Sequence, residues 1–179
     1  MKFVDTAIQG AFLVTMERAE DERGSFARIW CAQTLAARGL TARLEQCSIS
    51  CNARRGTLRG MHYQAAPHQE AKLVRCTRGA AYDVIVDARP DSRSRGVHVA
   101  VELTPAADTM VYVPQGVAHG FMTLADDTEL LYLISAAYEP RSQRGFRWDD
   151  PALGIRWPLA PLCISERDAS LPLFAAREA

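Results

Sequence analysis

The stretch KLVRCTRGAAYDVIVDARPDSRSRGVHVAVELTPAADTMVYVPQGVAHGFMTL, Lys72 to Leu124, decides the fold class. Five short runs rich in Val, Ile, Leu, Tyr and Phe are separated by turn signals. The runs are KLVRCT, AAYDVIVDA, VHVAVEL, TMVYVP and HGFMTL; the breaks carry RPDSRSRG, TPAAD and PQG. Strands bounded by Gly, Pro, Asp and Ser at this spacing predict a sandwich or closed barrel rather than βαβ units. The pattern extends outward to EQCSISC (Glu45–Cys51) and GTLRGMHYQ (Gly56–Gln64) on one side and ELLYLISAAY (Glu129–Tyr138) on the other. ARRG, APHQE and ADD break it there. Before it, SFARIWCAQTLAARGL (Ser25–Leu40) predicts one helix, since Phe26, Ile29, Trp30 and Leu35 roughly follow helical spacing and Gly39 suits a C-cap. After Pro140 the chain is rich in Trp, Pro and Asp, as expected of a segment wrapped over a barrel. The expectation is a mainly β, jelly-roll architecture with an N-terminal arm, one short N-terminal helix and a C-terminal cap. It forms a single domain over residues 1–179.

Composition narrows the function classes. The chain has 179 residues, 48% hydrophobic and 23% charged, which fits one ordered domain with a core. Lys plus Arg and Asp plus Glu both number 21, so no net field favours nucleic acid or an acidic membrane. No apolar run approaches the ~18 residues of a membrane span. The start, MKFVDTAIQGAFLV, has no long apolar core or small-residue cleavage site, so no signal peptide is read there. Five cysteines without a CxxC pair fit a reducing, cytoplasmic setting better than a disulfide framework or zinc ribbon. Cys47, Cys51 and Cys76, in strand-like runs, read as small apolar residues rather than nucleophiles. No GxSxG elbow, phosphate loop or dinucleotide fingerprint occurs.

The candidate chemistry centres on His62. A histidine alone in a strand ordinarily donates to a backbone carbonyl and does no chemistry. Arg59, Lys72 and His119 complicate that reading, because cationic and imidazole groups are costly to place inside a barrel unless they meet an anionic or carbonyl ligand. A metal site would need His62 and His119 to converge with Glu70 or His68, since the HxH pair of many barrels reads HYQ here. Tyr132 and Tyr138 are either core aromatics or, in a polar cavity, proton donors. Strict alternation puts His62 on one face with Leu58, Gly60 and Gln64, and Arg59 on the other. For both to meet one ligand the strand must bulge, and Gly60 is the place for it.

Five motifs in order carry a resemblance. DERGSF (Asp21–Phe26), TLRGMHYQ, EAKLVRCTRGAAYDVIVDAR, VYVPQGVAHGF and WDDPALGIRWP together resemble the dTDP-4-dehydrorhamnose 3,5-epimerase family of cupin-like barrels, from about Asp21 to Asp168. The resemblance implies a substrate that is a nucleotide-diphosphate 4-keto-6-deoxy sugar, epimerised at C3, C5 or both through an enolate, without metal or redox cofactor. It implies His62 as the base, Asp168 as the carboxylate that orients it, Tyr132 as the acid on the opposite face, and Lys72 as the cation at the C4 oxygen. Arg59 and His119 match pocket residues. Arg23 and Phe26 match a nucleotide-binding signature supplied partly from a neighbouring subunit, which implies a homodimer. Gln46 and Tyr138 match nucleotide or diphosphate contacts. Arg28, Glu70 and Cys47 depart from the family pattern, where Glu, Gln and Asn are frequent. A monofunctional 3- or 5-epimerase on another nucleotide sugar, a metal-dependent cupin enzyme and a non-catalytic sugar-binding jelly roll are the alternatives.

Overall fold

The computed structural model describes residues 1–174. Two antiparallel sheets face each other. In chain order the strands are β1 (Lys2–Asp5), β2 (Phe12–Thr15), β3 (Arg18–Asp21), β4 (Gly24–Ala27), β5 (Gln46–Asn52), β6 (Leu58–Gln64), β7 (Lys72–Arg78), β8 (Ala81–Asp87), β9 (His98–Leu103), β10 (Thr109–Val113), β11 (Val117–Thr123), β12 (Thr128–Ile134) and β13 (Gln143–Gly145). One sheet runs β1-β2-β10-β7-β12-β5 and the other β13-β6-β11-β8-β9; β3 and β4 form a separate hairpin. The architecture is a cupin-like jelly roll. The expected N-terminal arm is two hairpins, β1–β2 added to the six-stranded sheet and β3–β4 beside it.

Three apolar layers explain why several strands read as unbroken hydrophobic runs. Between the sheets lie Val74, Cys76, Ile85, Val111, Val113, Phe121 and Leu130. The outer face of the six-stranded sheet is covered by the 29–40 segment, with Ile29, Trp30 and Leu35 on Leu73, Met110 and Tyr112. The outer face of the five-stranded sheet is covered by the C-terminal segment, with Phe146, Leu153 and Trp157 on Met61, Val84 and Ala118. A strand covered on both faces needs apolar residues on both, so alternation is lost; all seven residues of β11 are buried.

The expected helix over Ser25–Leu40 is corrected. Only Ala32–Ala36 is helical (α1), and Gly39, at φ +69°, ends the turn that follows. Phe26 lies in β4, opposite Ala19 across the hairpin. Gly24, at φ +122°, lets the chain reverse here, and the N-cap position of α1 holds Cys31, whose side chain caps nothing. The apolar spacing of Phe26, Ile29 and Trp30 imitates a helix, but Ile29 and Trp30 are placed by burial against the sheet. The cysteines also divide: Cys76 is buried as expected, whereas Cys47 and Cys51 are exposed. A short helix in the C-terminal cap, α2 (Glu166–Ala169), carries Asp168.

Candidate active site

A cleft of about 580 Å³ opens between the two sheets. Its walls come from β6 and β11 on one side and β5, β7 and β12 on the other, with α2 at the rim. His62, Arg59, Lys72, His119, Tyr132, Asp168, Gln46 and Tyr138 all line it. Arg23 and Phe26 do not. They lie on the β3–β4 hairpin, where Arg23 donates to Asp21 (2.6 Å) and Phe26 is 76% exposed.

Arg59 and His62 share the cleft because β6 bulges. His119 pairs with His62 and Phe121 pairs with Arg59, so Gly60 and Met61 together stand opposite Gly120. The extra residue turns Met61 into the outer apolar layer and returns His62 to the face of Arg59. Gly60 has φ +129°, and a Cβ there would sit 2.5 Å from the Gly120 Cα. The Gly60 amide also donates to Asp168 Oδ2 (3.1 Å). Gly60→Ala should therefore cost about 2 kcal/mol or more of stability and displace the carboxylate as well. A denaturant midpoint equal to that of the wild type would refute this account of the bulge.

Asp168 reaches His62 from 106 residues away through backbone pairing. Thr57 bridges Cys163, and Leu58 donates to the Cys163 carbonyl (2.8 Å), which lays the C-terminal segment along β6. The Ser165 hydroxyl then caps α2 by accepting from the Asp168 amide (3.1 Å). Asp168 Oδ1 lies 2.8 Å from His62 Nε2. Burial alone would raise the Asp168 carboxyl. The His62 hydrogen bond and charge, with the Gly60 amide and Ser165, outweigh burial and hold the carboxyl below its ordinary range. An ionised Asp168 fixes the proton on His62 Nε2 and leaves Nδ1 as the accepting nitrogen.

A second histidine–carboxylate pair lies beside the first. His119 Nε2 is 2.7 Å from Asp83 Oδ2, and Asp83 is fully buried. The His119 ring meets Tyr132 edge-on, with centroids 5.7 Å apart. Burial pushes the Tyr132 hydroxyl well above its ordinary value, and the Asp83 charge adds to this against Arg59. Tyr132 is therefore a phenol, a proton donor, throughout the neutral range. Lys72 Nζ donates to the His62 carbonyl (3.4 Å) and pairs with Glu70 Oε1 (3.0 Å). Arg59 Nε donates to Asn52 Oδ1 (2.8 Å), which braces the guanidinium at the cleft wall. The Tyr138 amide donates to Gln46 Oε1 (2.9 Å).

Sequence reasoning overlooked Asp83 and Asn52. Asp83 had a signal: a carboxylate inside the apolar run AYDVIVD is costly unless something neutralises it. Asn52 had none, being one polar residue at a strand end. His68, offered as a metal ligand, bonds through Nδ1 to Ser142 Oγ (2.9 Å) instead. Among the described residues no group of three or more His, Cys, Asp and Glu is placed to hold a metal ion.

A two-sheet jelly roll whose cleft is lined by a histidine–aspartate dyad on one side and a tyrosine and a lysine on the other has the architecture of a cupin-like enzyme suited to proton transfer. A family model described as dTDP-4-dehydrorhamnose 3,5-epimerase matches residues 5–176. The chain belongs to this family, and it is an isomerase of the epimerase class. A dTDP-4-dehydrorhamnose 3,5-epimerase of Sinorhizobium fredii is 41% identical over 96% of this chain and 89% of its own. A dTDP-4-dehydrorhamnose 3-epimerase of Streptomyces niveus is 36% identical over 100% of this chain and 87% of its own. The crystal structure of the dTDP-4-dehydrorhamnose 3,5-epimerase from Elizabethkingia anophelis superposes with a TM-score of 0.95 at 32% identity, covering 100% of this chain and 99% of that one.

Proposed function

We propose that this chain epimerises a dTDP-linked 4-keto-6-deoxyhexose at C3, C5 or both, in deoxysugar biosynthesis, with His62 as base and Tyr132 as acid. The observation that carries the reading is the placement of those two groups: His62 on β6 and Tyr132 on β12, on opposite sheets facing one cleft. Inversion at carbon requires a proton to leave one face and return to the other, and this arrangement supports that directly. The C4 ketone acidifies the hydrogens at C3 and C5. His62 Nδ1 takes one of them, and Asp168 stabilises the imidazolium that forms. Negative charge collects on the C4 oxygen as an enolate, where the Lys72 ammonium meets it. Tyr132 then gives its phenolic proton to the opposite face of the carbon and regains one from solvent, while the His62 imidazolium releases the proton it took to solvent. Arg59 suits the diphosphate through its forked donors. Gln46 and Tyr138 suit the nucleotide end, and His119 suits the sugar.

The wild-type protein, incubated with dTDP-4-keto-6-deoxyglucose in D₂O, should place deuterium at C3, C5 or both. Absence of exchange at both carbons would overturn the reading. Parallel GDP- and CDP-linked sugars identify the nucleotide.

We read the active form as a cytoplasmic homodimer in which residues 1–179 act as one domain. The exposed Phe26 on β3–β4 and the exposed Ile49 on the open edge strand β5 support the dimer. Five free cysteines support the compartment. Phe26→Asp should shift the sedimentation profile toward monomer; an unchanged profile removes Phe26 from the interface.

A further inference from the structure

Glu70 is a carboxylate in a cleft proposed to receive an anion, and its presence needs a reason. It stands two residues before Lys72, just ahead of β7, and lines the cleft. Its side chain is 5% exposed. One oxygen, Oε1, pairs with Lys72 Nζ at 3.0 Å. The other, Oε2, is buried, and no described group donates to it. Only one further buried side-chain polar atom among the described residues shares that condition, Asp83 Oδ1, and Asp83 does not line the cleft. A buried carboxylate oxygen without a donor is costly, and folds retain such groups where a ligand or function compensates.

The Lys72 ammonium indicates which donor arrives. It has three hydrogens. One serves Glu70 Oε1 and one the His62 carbonyl, which leaves the third for the ketone oxygen of the bound sugar. The hydroxyl on C3 belongs to the carbon next to that ketone. A sugar whose C4 oxygen takes the third hydrogen, and whose C3 side turns to Glu70, brings its C3 hydroxyl to the carboxylate beside Lys72; the other neighbour of the ketone, C5, carries no hydroxyl to offer.

We propose that Glu70 is a specificity-determining residue: its free oxygen Oε2 accepts the hydrogen bond of the sugar's C3 hydroxyl while Oε1 holds Lys72 at the ketone. This rests on the reaction proposed above. It makes the enzyme selective for substrates that carry a hydroxyl at C3, and it anchors the sugar by a group other than the base or the acid.

The test compares dTDP-4-keto-6-deoxyglucose with its 3-deoxy analogue, reading kcat/KM for deuterium entry at C3 and C5 together, since both substrates carry exchangeable hydrogens at these two carbons. Loss of the hydroxyl should slow the wild type on the order of 10- to 100-fold, the range for a hydrogen bond to a charged group. In Glu70→Leu the parent substrate should fall to a similar value, with no further fall on the analogue. In Glu70→Gln, which keeps the volume and a neutral acceptor, the penalty should shrink to a few-fold. The Gln variant carries the test if the Leu variant does not fold. A change that merely damages the site would slow both substrates alike and leave the penalty intact. The same penalty in the wild type and the variants overturns the assignment of Glu70. A wild type that exchanges neither carbon of the parent substrate overturns the reaction itself, and this inference with it.

Discussion

His62→Asn should lose deuterium incorporation at every carbon of a dTDP-4-keto-6-deoxyhexose. Both exchange and net epimerisation begin with removal of a proton, and the imidazole is the group placed to take it. A positioned base contributes about 10²- to 10⁴-fold, so exchange should fall by at least that much. His62 pairs with Asp168 at 2.8 Å, and an asparagine amide has no comparable basicity at neutral pH. The variant should still fold, because Asp168 keeps its bonds from the Gly60 amide and the helix cap at Ser165. NMR of the sugar in D₂O, with an unfolding midpoint measured alongside, makes the comparison. Full exchange in a folded His62→Asn protein would transfer the base role to another group.

Tyr132→Phe should separate exchange from inversion. The ring remains, so its edge contact with His119 and its packing against the inter-sheet core are kept. The hydroxyl is lost, and with it the donor on the β12 side of the cleft. His62 can still remove a proton and return a deuteron to the same face. Washout should therefore continue while formation of the inverted sugar falls by about 10²- to 10⁴-fold. The pH profile supplies a second check. Burial and the Asp83 charge hold the Tyr132 hydroxyl well above its ordinary value, and a phenol is protonated below its pKa. The wild type should thus lose no inversion to Tyr132 ionisation as pH rises through ~10, where an unperturbed tyrosine would ionise. Inversion by Tyr132→Phe at the wild-type rate would place the acid elsewhere.

Much of this was legible from residues alone, and what was not has identifiable causes. The strands β5 to β12 were readable because β-branched and aromatic runs with Gly, Pro and Asp breaks have few other uses. The helix over Ser25–Leu40 was misread because four apolar side chains at helical spacing do not distinguish a helix from an irregular segment laid on a sheet. β13 escaped notice because three residues, Gln143 to Gly145, carry no periodicity; they are a strand only because β6 lies next to them. The conflict over Arg59 and His62 was visible as a parity problem, and its resolution at Gly60 followed from the one residue there without a Cβ.

The sequence by itself determined the mainly β architecture, the family, and the residue types available for proton transfer, because these depend on local pattern and motif order. The tertiary structure alone decided which of those residues face one another. His62 and Tyr132 oppose each other because β6 and β12 belong to different sheets. Asp168 meets His62 because the C-terminal segment bridges the chain just ahead of β6, Cys163 against Thr57. Asp83 became the partner of His119 through the register of β8 and β11, and Asn52 the partner of Arg59 because the end of β5 and the start of β6 meet across the cleft from different sheets. Glu70 acquired a buried, unpartnered oxygen because the fold encloses it beside Lys72. Each of these rests on how the strands and the C-terminal segment pack in three dimensions, and packing of that kind leaves no periodic trace in the sequence around either member.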